Sequence, residues 1–212
     1  MNKLLFSVTF LIGLNILPLI GNPELIMHYK TIVIILEGLC LMLTQPKFSL
    51  SETKHNKQTD KFSIIFIFLA SSISVVSAQV EWAYLGNTER EMNAISCWGI
   101  FIMLVGVSLR IWAINSLGRN FTATVRVNNE HQLIQAGPYA YIRHPSYTGA
   151  FLAVIGVAIF LNATVSICIS IILMFTAYYV RIRSEEKLLV THFGEEYSAY
   201  AKNKKKLFPY VW

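Results

Sequence analysis

The chain predicts an all-α, polytopic integral membrane protein, and three observations carry that expectation. Hydrophobic residues fill 54% of the 212 positions and charged residues only 14%, too little polar material to cover an ordinary soluble domain. Apolar runs near the length of a bilayer crossing recur six times, separated by polar or turn-forming stretches. Lysine and arginine concentrate in alternate connections, the asymmetry that marks cytoplasmic loops.

A helical crossing needs about 20 mostly apolar residues. The first run, Leu4 to Ile20, is closed by Gly21-Asn22-Pro23, a strong helix breaker. Lys3 ahead of an apolar stretch also fits a cleaved signal peptide, but no Ala-x-Ala site follows, which favours a span. The second run, Leu25 to Leu43, carries Lys30 and Glu37 and leads into the polar loop Gln45 to Lys61. Phe62 to Leu85 and Ala94 to Leu117 are full-length crossings. Ser146 to Leu161 and Ala163 to Val180 lie on either side of Asn162 and predict one tight hairpin.

Loop charge tests this arrangement independently. With the N-terminus inside, fifteen of the eighteen basic residues fall on the cytoplasmic side; Arg90 falls outside, and Lys30 and Arg110 lie within spans. The net charge of +6 therefore reads as membrane topology, and no basic helix with a DNA- or RNA-reading motif points to a nucleic-acid partner. Neither an internal repeat nor a low-complexity linker divides the chain, so residues 1–212 are expected to form one membrane domain. Its first part, 1–117, is a four-helix unit, and 118–212 carries the candidate chemistry. Cys40, Cys97 and Cys168 sit singly in separate spans with no CxxC pair, and read as inert core thiols; no metal-ligand spacing is present.

Arg110 lies seven residues before Leu117, hence about 10 Å inside the fourth span at 1.5 Å per residue. An ionisable group at that depth faces the protein interior and either pairs or works. Three readings stay open: snorkelling toward the inner surface, an ion pair with Glu37 or Glu81, or a functional role.

Reactive side chains gather in Gly137-Pro138-Tyr139-Ala140-Tyr141-Ile142-Arg143-His144-Pro145-Ser146-Tyr147-Thr148-Gly149, against the start of the fifth run. Pro145 disfavours helical geometry at His144 and suits the first position of a helix. That predicts an imidazole at a helix mouth, with backbone N–H groups near Ser146 and Tyr147 and the Arg143 guanidinium available to an anion. Downstream, Arg181 and Glu185 are four residues apart and share one face of a helix, as an ion pair or as two functional groups.

Asn120, His131, Gly137, Tyr139, the Arg143 to Tyr147 string, Glu185-Glu186 and Phe193-Gly194-Glu195-Glu196-Tyr197 together resemble the isoprenylcysteine carboxyl methyltransferase family. The likeness runs roughly from Asn115 to Pro209, nearly half the chain. It implies a membrane O-methyltransferase whose S-adenosyl-L-methionine is held by His131, Gln132, Leu133, Ile134, Tyr139, His144, Pro145, Ser146, Tyr147 and Glu185. Arg181 matches the arginine that engages the substrate, with Arg110 as the second candidate. The implied substrate is a prenylated or other lipid-linked carboxylate, met at the cytoplasmic surface. Gln132 and Ile134 replace the more usual Thr and Val, and a one-residue shift near Asn162 makes Arg181, rather than Arg183, the match. Two other activities stay open on the motif. One is methylation of another lipid nucleophile such as a phospholipid amine; the other is an NADPH-dependent reduction resembling the sterol reductases, which carry a similar Arg-His-x-x-Tyr-x-Gly string.

From His192 onward the chain turns basic, with Tyr197, Tyr200, Phe208, Tyr210 and Trp212 among lysines. This predicts a helix lying in the interface, its lysines on anionic lipid headgroups and its rings in the headgroup layer. The short loops suit a prokaryotic inner membrane, or the endoplasmic reticulum in a eukaryote.

Overall fold

The computed structural model describes residues 3–45, 58–85, 90–118 and 133–208. Among them are seven α-helices and, outside the helices, one isolated parallel bridge between Ile142 and Lys205. Helix α1 (Lys3–Ile16) ends in a 3-10 turn, Leu17–Leu19, and a second such turn, Pro23–Leu25, leads to α2 (Tyr29–Leu43). Helix α3 (Gln58–Val80) closes in a π turn, Glu81–Leu85. Then come α4 (Ala94–Leu117), α5 (Pro145–Phe160), α6 (Thr164–Phe193) and α7 (Glu195–Asn203). Three stretches, Phe62–Leu85, Ala94–Leu117 and Thr164–Phe193, are long and apolar enough to cross a membrane; Leu4–Leu19 and Pro145–Phe160 are apolar but shorter.

Helix boundaries differ from the sequence reading at several points; α3, for one, starts at Gln58 rather than Phe62, inside the expected polar loop. The second helix starts at Tyr29 rather than Leu25, because His28 is extended (φ −65°, ψ 141°) and its ring accepts a hydrogen bond from Lys30 N. Helix α6 does not stop at Val180. It continues to Phe193, where Gly194 takes φ 55° and ends it. Hydropathy marks where apolar character ends, whereas the helix persists through Arg181 to His192 because nothing in that stretch breaks it. Its 30 residues span about 45 Å, so its last third stands beyond a hydrocarbon core about 30 Å thick.

Helices α1 to α6 alternate in direction, as contacts at both ends of the bundle establish. At one end Gly21 N donates to Tyr84 Oη (3.0 Å), Arg90 pairs with Glu24 (3.3 Å), and Asn93 bonds Asn162 (3.1 Å). Glu81, a candidate partner of Arg110, sits at this end and caps α6: its carboxylate accepts from Val165 N (3.0 Å) and from both N and Oγ of Ser166 (2.7 Å each). Lys30 is wholly buried here, its ammonium donating to Ser96 Oγ (3.1 Å) above the Phe160 ring. The opposite end gathers Thr44, Ser63, Arg110, Ser146 and Arg181.

Helices α4 and α5 approach most closely where glycines face each other. A Cβ on Gly106 would meet Ala153 N at 2.5 Å, and one on Gly149 would meet Gly106 O at 2.6 Å and Arg110 N at 2.7 Å. Gly99 and Gly156 complete the seam. Small residues let the backbones come together without a hydrophobic drive, which lipid does not supply. One apolar core, with Leu19, Trp82, Met103 and Phe160, fills the Asn162 end; a second, with Phe151, Val154, Met174, Tyr178 and Leu207, lies toward His144. Large apolar side chains such as Trp98, Phe101, Leu104 and Ile172 point outward. So do Cys40, Cys97 and Cys168, which are exposed on the bundle's surface rather than in the core: each falls on the outward stripe of its helix.

The C-terminal region also departs from expectation. Helix α7 has nine residues, and Tyr197 and Tyr200 turn inward, 2% and 7% exposed, instead of lying in a headgroup layer. Beyond it the chain straightens and pairs with the loop before α5: Arg143 N donates to Lys205 O (2.9 Å) and His144 N to Lys206 O (3.0 Å). Thr148 Oγ1 donates to Leu207 O (2.7 Å), and Leu207 is fully buried. Tyr210 and Trp212 lie outside the described residues.

Candidate active site

The site is built where the loop before α5, the start of α5, the last third of α6 and the C-terminal strap meet. Pro145 is the first residue of α5 and His144 precedes it in a non-helical conformation (φ −126°, ψ 56°), as the His-Pro order predicts. The first turn then closes on His144 O, which accepts from Tyr147 N (3.1 Å) and Thr148 N (3.2 Å). Of the two N–H groups expected to face an anion, that of Tyr147 is already engaged by a backbone carbonyl.

Tyr147 is central. Its hydroxyl donates to Glu185 Oε2 (2.6 Å) and accepts from Arg181 Nε (3.1 Å). Its ring stacks on His144 on one side (centroids 5.7 Å, 19°) and on Tyr178 on the other (5.0 Å, 25°). The imidazole of His144 lies between two carboxylates, Nδ1 4.0 Å from Glu185 Oε1 and Nε2 3.3 Å from Glu186 Oε1. Arg181 also donates through Nη1 to Ser63 Oγ (3.1 Å). His144, Arg181 and Arg110 are each 4% exposed, so the two guanidinium charges act in a setting from which water is largely removed.

Arg110 approaches the same region from α4. Its Nε donates to Thr44 Oγ1 (3.1 Å) and its Nη1 to the backbone oxygen of Ser146 (3.0 Å), in place of the expected pairing with Glu37 or Glu81. Tyr139, buried in the 3-10 turn Gly137–Ala140, has its ionisation pushed up by burial and by the Glu185 charge, which keeps the phenol neutral. Its backbone oxygen accepts from Tyr200 Oη (2.8 Å), whose own ionisation burial pushes up to about 12. Leu133 and Ile134 are half-buried at the start of this segment; Asn120, His131 and Gln132 lie outside the described residues.

Several participants are absent from the list drawn from sequence. Glu186 collects Arg143 Nη1 (2.6 Å), Lys206 Nζ (3.5 Å) and Tyr197 Oη (3.4 Å) besides His144, tying loop, strap and α7 to α6. Its place next to Glu185 was a usable signal. Tyr178, three residues before Arg181, shared the helix face and could have been found that way. Thr44 and Ser63 had no sequence signal, since each meets an arginine far along the chain.

The sequence model of the Isoprenylcysteine carboxyl methyltransferase (ICMT) family matches residues 99–191. Protein-S-isoprenylcysteine O-methyltransferase B of Arabidopsis thaliana is 30% identical over 145 residues, 68% of this chain and 73% of that one. The protein-S-isoprenylcysteine O-methyltransferase of Tribolium castaneum is 30% identical over 180 residues, covering 82% of this chain and 61% of that protein. The solved structure of the eukaryotic intramembrane Ras methyltransferase ICMT has a TM-score of 0.65 to this fold, at 24% identity, over 96% of this chain and 74% of that one. An apolar helical bundle with buried Arg, His and Tyr side chains and half-buried glutamates joined at one end is thus a membrane methyltransferase. The chain belongs to the isoprenylcysteine carboxyl methyltransferase family.

Proposed function

We propose that the protein transfers a methyl group from S-adenosyl-L-methionine to the carboxylate of an isoprenylcysteine or a similar lipid-linked acid, at the cytoplasmic end of six membrane-crossing helices. The observation that carries this reading is the bridge from the buried Arg181 through the Tyr147 hydroxyl to the half-buried Glu185, which holds a guanidinium and a carboxylate side by side. A guanidinium suits an acceptor carboxylate, and a carboxylate suits the donor's ammonium.

The residues present fit the donor by their chemistry. Glu185 offers a carboxylate and the adjoining His144 an imidazole that can hydrogen-bond to a zwitterionic amino-acid end, while Tyr139, Leu133 and Ile134 provide buried or half-buried apolar surface for a base. When bound, the donor supplies a sulfonium methyl: the S–CH3 bond breaks with its pair going to sulfur, and an O–CH3 bond forms. No proton moves, because a cysteine α-carboxylate, with a reference pKa of about 3.5, is already ionised. The side chains accordingly orient and desolvate rather than act as bases. Arg181 and Arg110 hold the acceptor carboxylate, and the strap over His144 keeps water out. A hydrocarbon chain would reach the site sideways from lipid.

Methylation of N-acetyl-farnesylcysteine by purified protein, against non-prenylated N-acetylcysteine, is the test. Transfer to the prenylated acid alone supports the reading. Transfer to a phospholipid amine, or NADPH oxidation without methyl transfer, would replace it. Glu185→Gln adds a second arm: binding of S-adenosylhomocysteine should weaken about tenfold with the lost charge.

A further inference from the structure

The two arginines assigned to the acceptor carboxylate are each held by a hydroxyl from the N-terminal part of the bundle, one at the end of α2 and one in α3. Thr44, at the C-terminal cap of α2, accepts from Arg110 Nε at 3.1 Å across 66 positions of sequence. Ser63, in the second turn of α3, accepts from Arg181 Nη1 at 3.1 Å across 118 positions. Both lie before the residues 99–191 that match the family model, in the part of the chain that sequence alone marks only as apolar spans.

We propose that Thr44 and Ser63 are positioning residues, aiming Arg110 and Arg181 at the acceptor carboxylate so that α2 and α3 form part of the active site. The inference rests on the functional reading above. An arginine has several rotatable bonds and a planar fork, and presents paired donors only when the plane is fixed. For Arg181, the Tyr147 and Ser63 oxygens contact different nitrogens from different helices, which fixes the plane. For Arg110, Thr44 Oγ1 and Ser146 O do the same. These four acceptors are neutral oxygens, which orient a cation without cancelling its charge. The anchors are themselves rigid: Thr44 Oγ1 donates to Leu41 O (2.8 Å), and Ser63 is fully buried, where water does not compete for the bond.

The test uses detergent-purified full-length protein, with initial rates over varied N-acetyl-farnesylcysteine at saturating S-adenosyl-L-methionine. Ser63→Ala and Thr44→Val should each raise KM for the acceptor about tenfold, while the Kd of S-adenosylhomocysteine changes by less than about twofold. Thr44→Ser, which restores the hydroxyl, should return KM to the wild-type value. Unchanged KM in either variant, or donor-side affinity falling in step with KM, would overturn the proposal, because the hydroxyls would then be passive or merely structural. Absence of any acceptor methylation by the wild type is a different failure: it removes the functional reading, and this inference with it.

Discussion

Tyr147 and Glu185 are joined by a 2.6 Å hydrogen bond in which the phenol donates to the carboxylate, and the same phenol oxygen accepts from Arg181. A neutral hydroxyl thus stands between a cation and an anion four residues apart on one helix. The arrangement sets both groups in place while a phenol, not a charge, occupies the midpoint.

Tyr147→Phe should test that bridge cleanly, since the ring stack on His144 and Tyr178 survives while the hydroxyl is lost. Removing a hydrogen bond to a charged group costs about 1.5 to 3 kcal/mol, so kcat/KM should fall about ten- to a hundredfold. Steady-state methyl transfer and a thermal scan decide it; a large drop in melting temperature with unchanged kcat/KM would assign the hydroxyl to stability alone.

Arg181→Lys keeps the charge but loses the planar fork and two donors. The expected result is a loss of about ten- to a hundredfold in turnover per unit acceptor, with S-adenosylhomocysteine binding far less affected. Full activity in this variant would leave the carboxylate-holding role to Arg110 alone.

Glu186→Gln removes the charge that meets Arg143 and Lys206. The backbone pairing of Arg143 N and His144 N with the 205–206 strap should loosen, so hydrogen exchange at those two amides accelerates by about tenfold or more. Protection equal to wild type would show that Thr148 and Leu207 hold the strap without it.

Gly149→Ala places a methyl group 2.6 Å from Gly106 O and 2.7 Å from Arg110 N. Helices α4 and α5 must separate, at a cost of about 1 to 3 kcal/mol. A lower unfolding temperature should appear together with reduced activity, because Arg110 reaches Ser146 O only across that seam. An unshifted melting temperature would mean the seam yields freely.

The proposed arrangement of six crossings, with both termini cytoplasmic, predicts that single cysteines near Asn87 and Asn162 react with an impermeant thiol reagent from outside, after the three native cysteines are replaced. Positions in the Gln45 to Lys61 loop should react only from inside. Outside labelling of that loop inverts the orientation.

The span positions at Ala94–Leu117 and Pro145–Phe160 were legible to within a residue, because apolar run length and a Pro start are local properties. The end of α6 was not, since hydropathy changes thirteen residues before the helix stops. His144, Tyr147, Arg181 and Glu185 were found by motif and do converge. Tyr197 and Tyr200 were placed in the headgroup layer from their aromatic character, and face inward because Tyr139 O and Glu186 offer hydrogen-bond acceptors there.

Composition and charge order were enough to put this chain in a membrane with its reactive groups at one end, since transfer to lipid and loop charge depend on residue type alone. Which groups touch was decided only by packing. Arg110 passed over two carboxylates for Thr44 and Ser146 O, and Arg181 met Ser63 from 118 positions away. Hydrogen bonds act over about 3 Å, and the distance between helices is set by small residues such as Gly106 and Gly149, whose effect exists only once the helices are side by side.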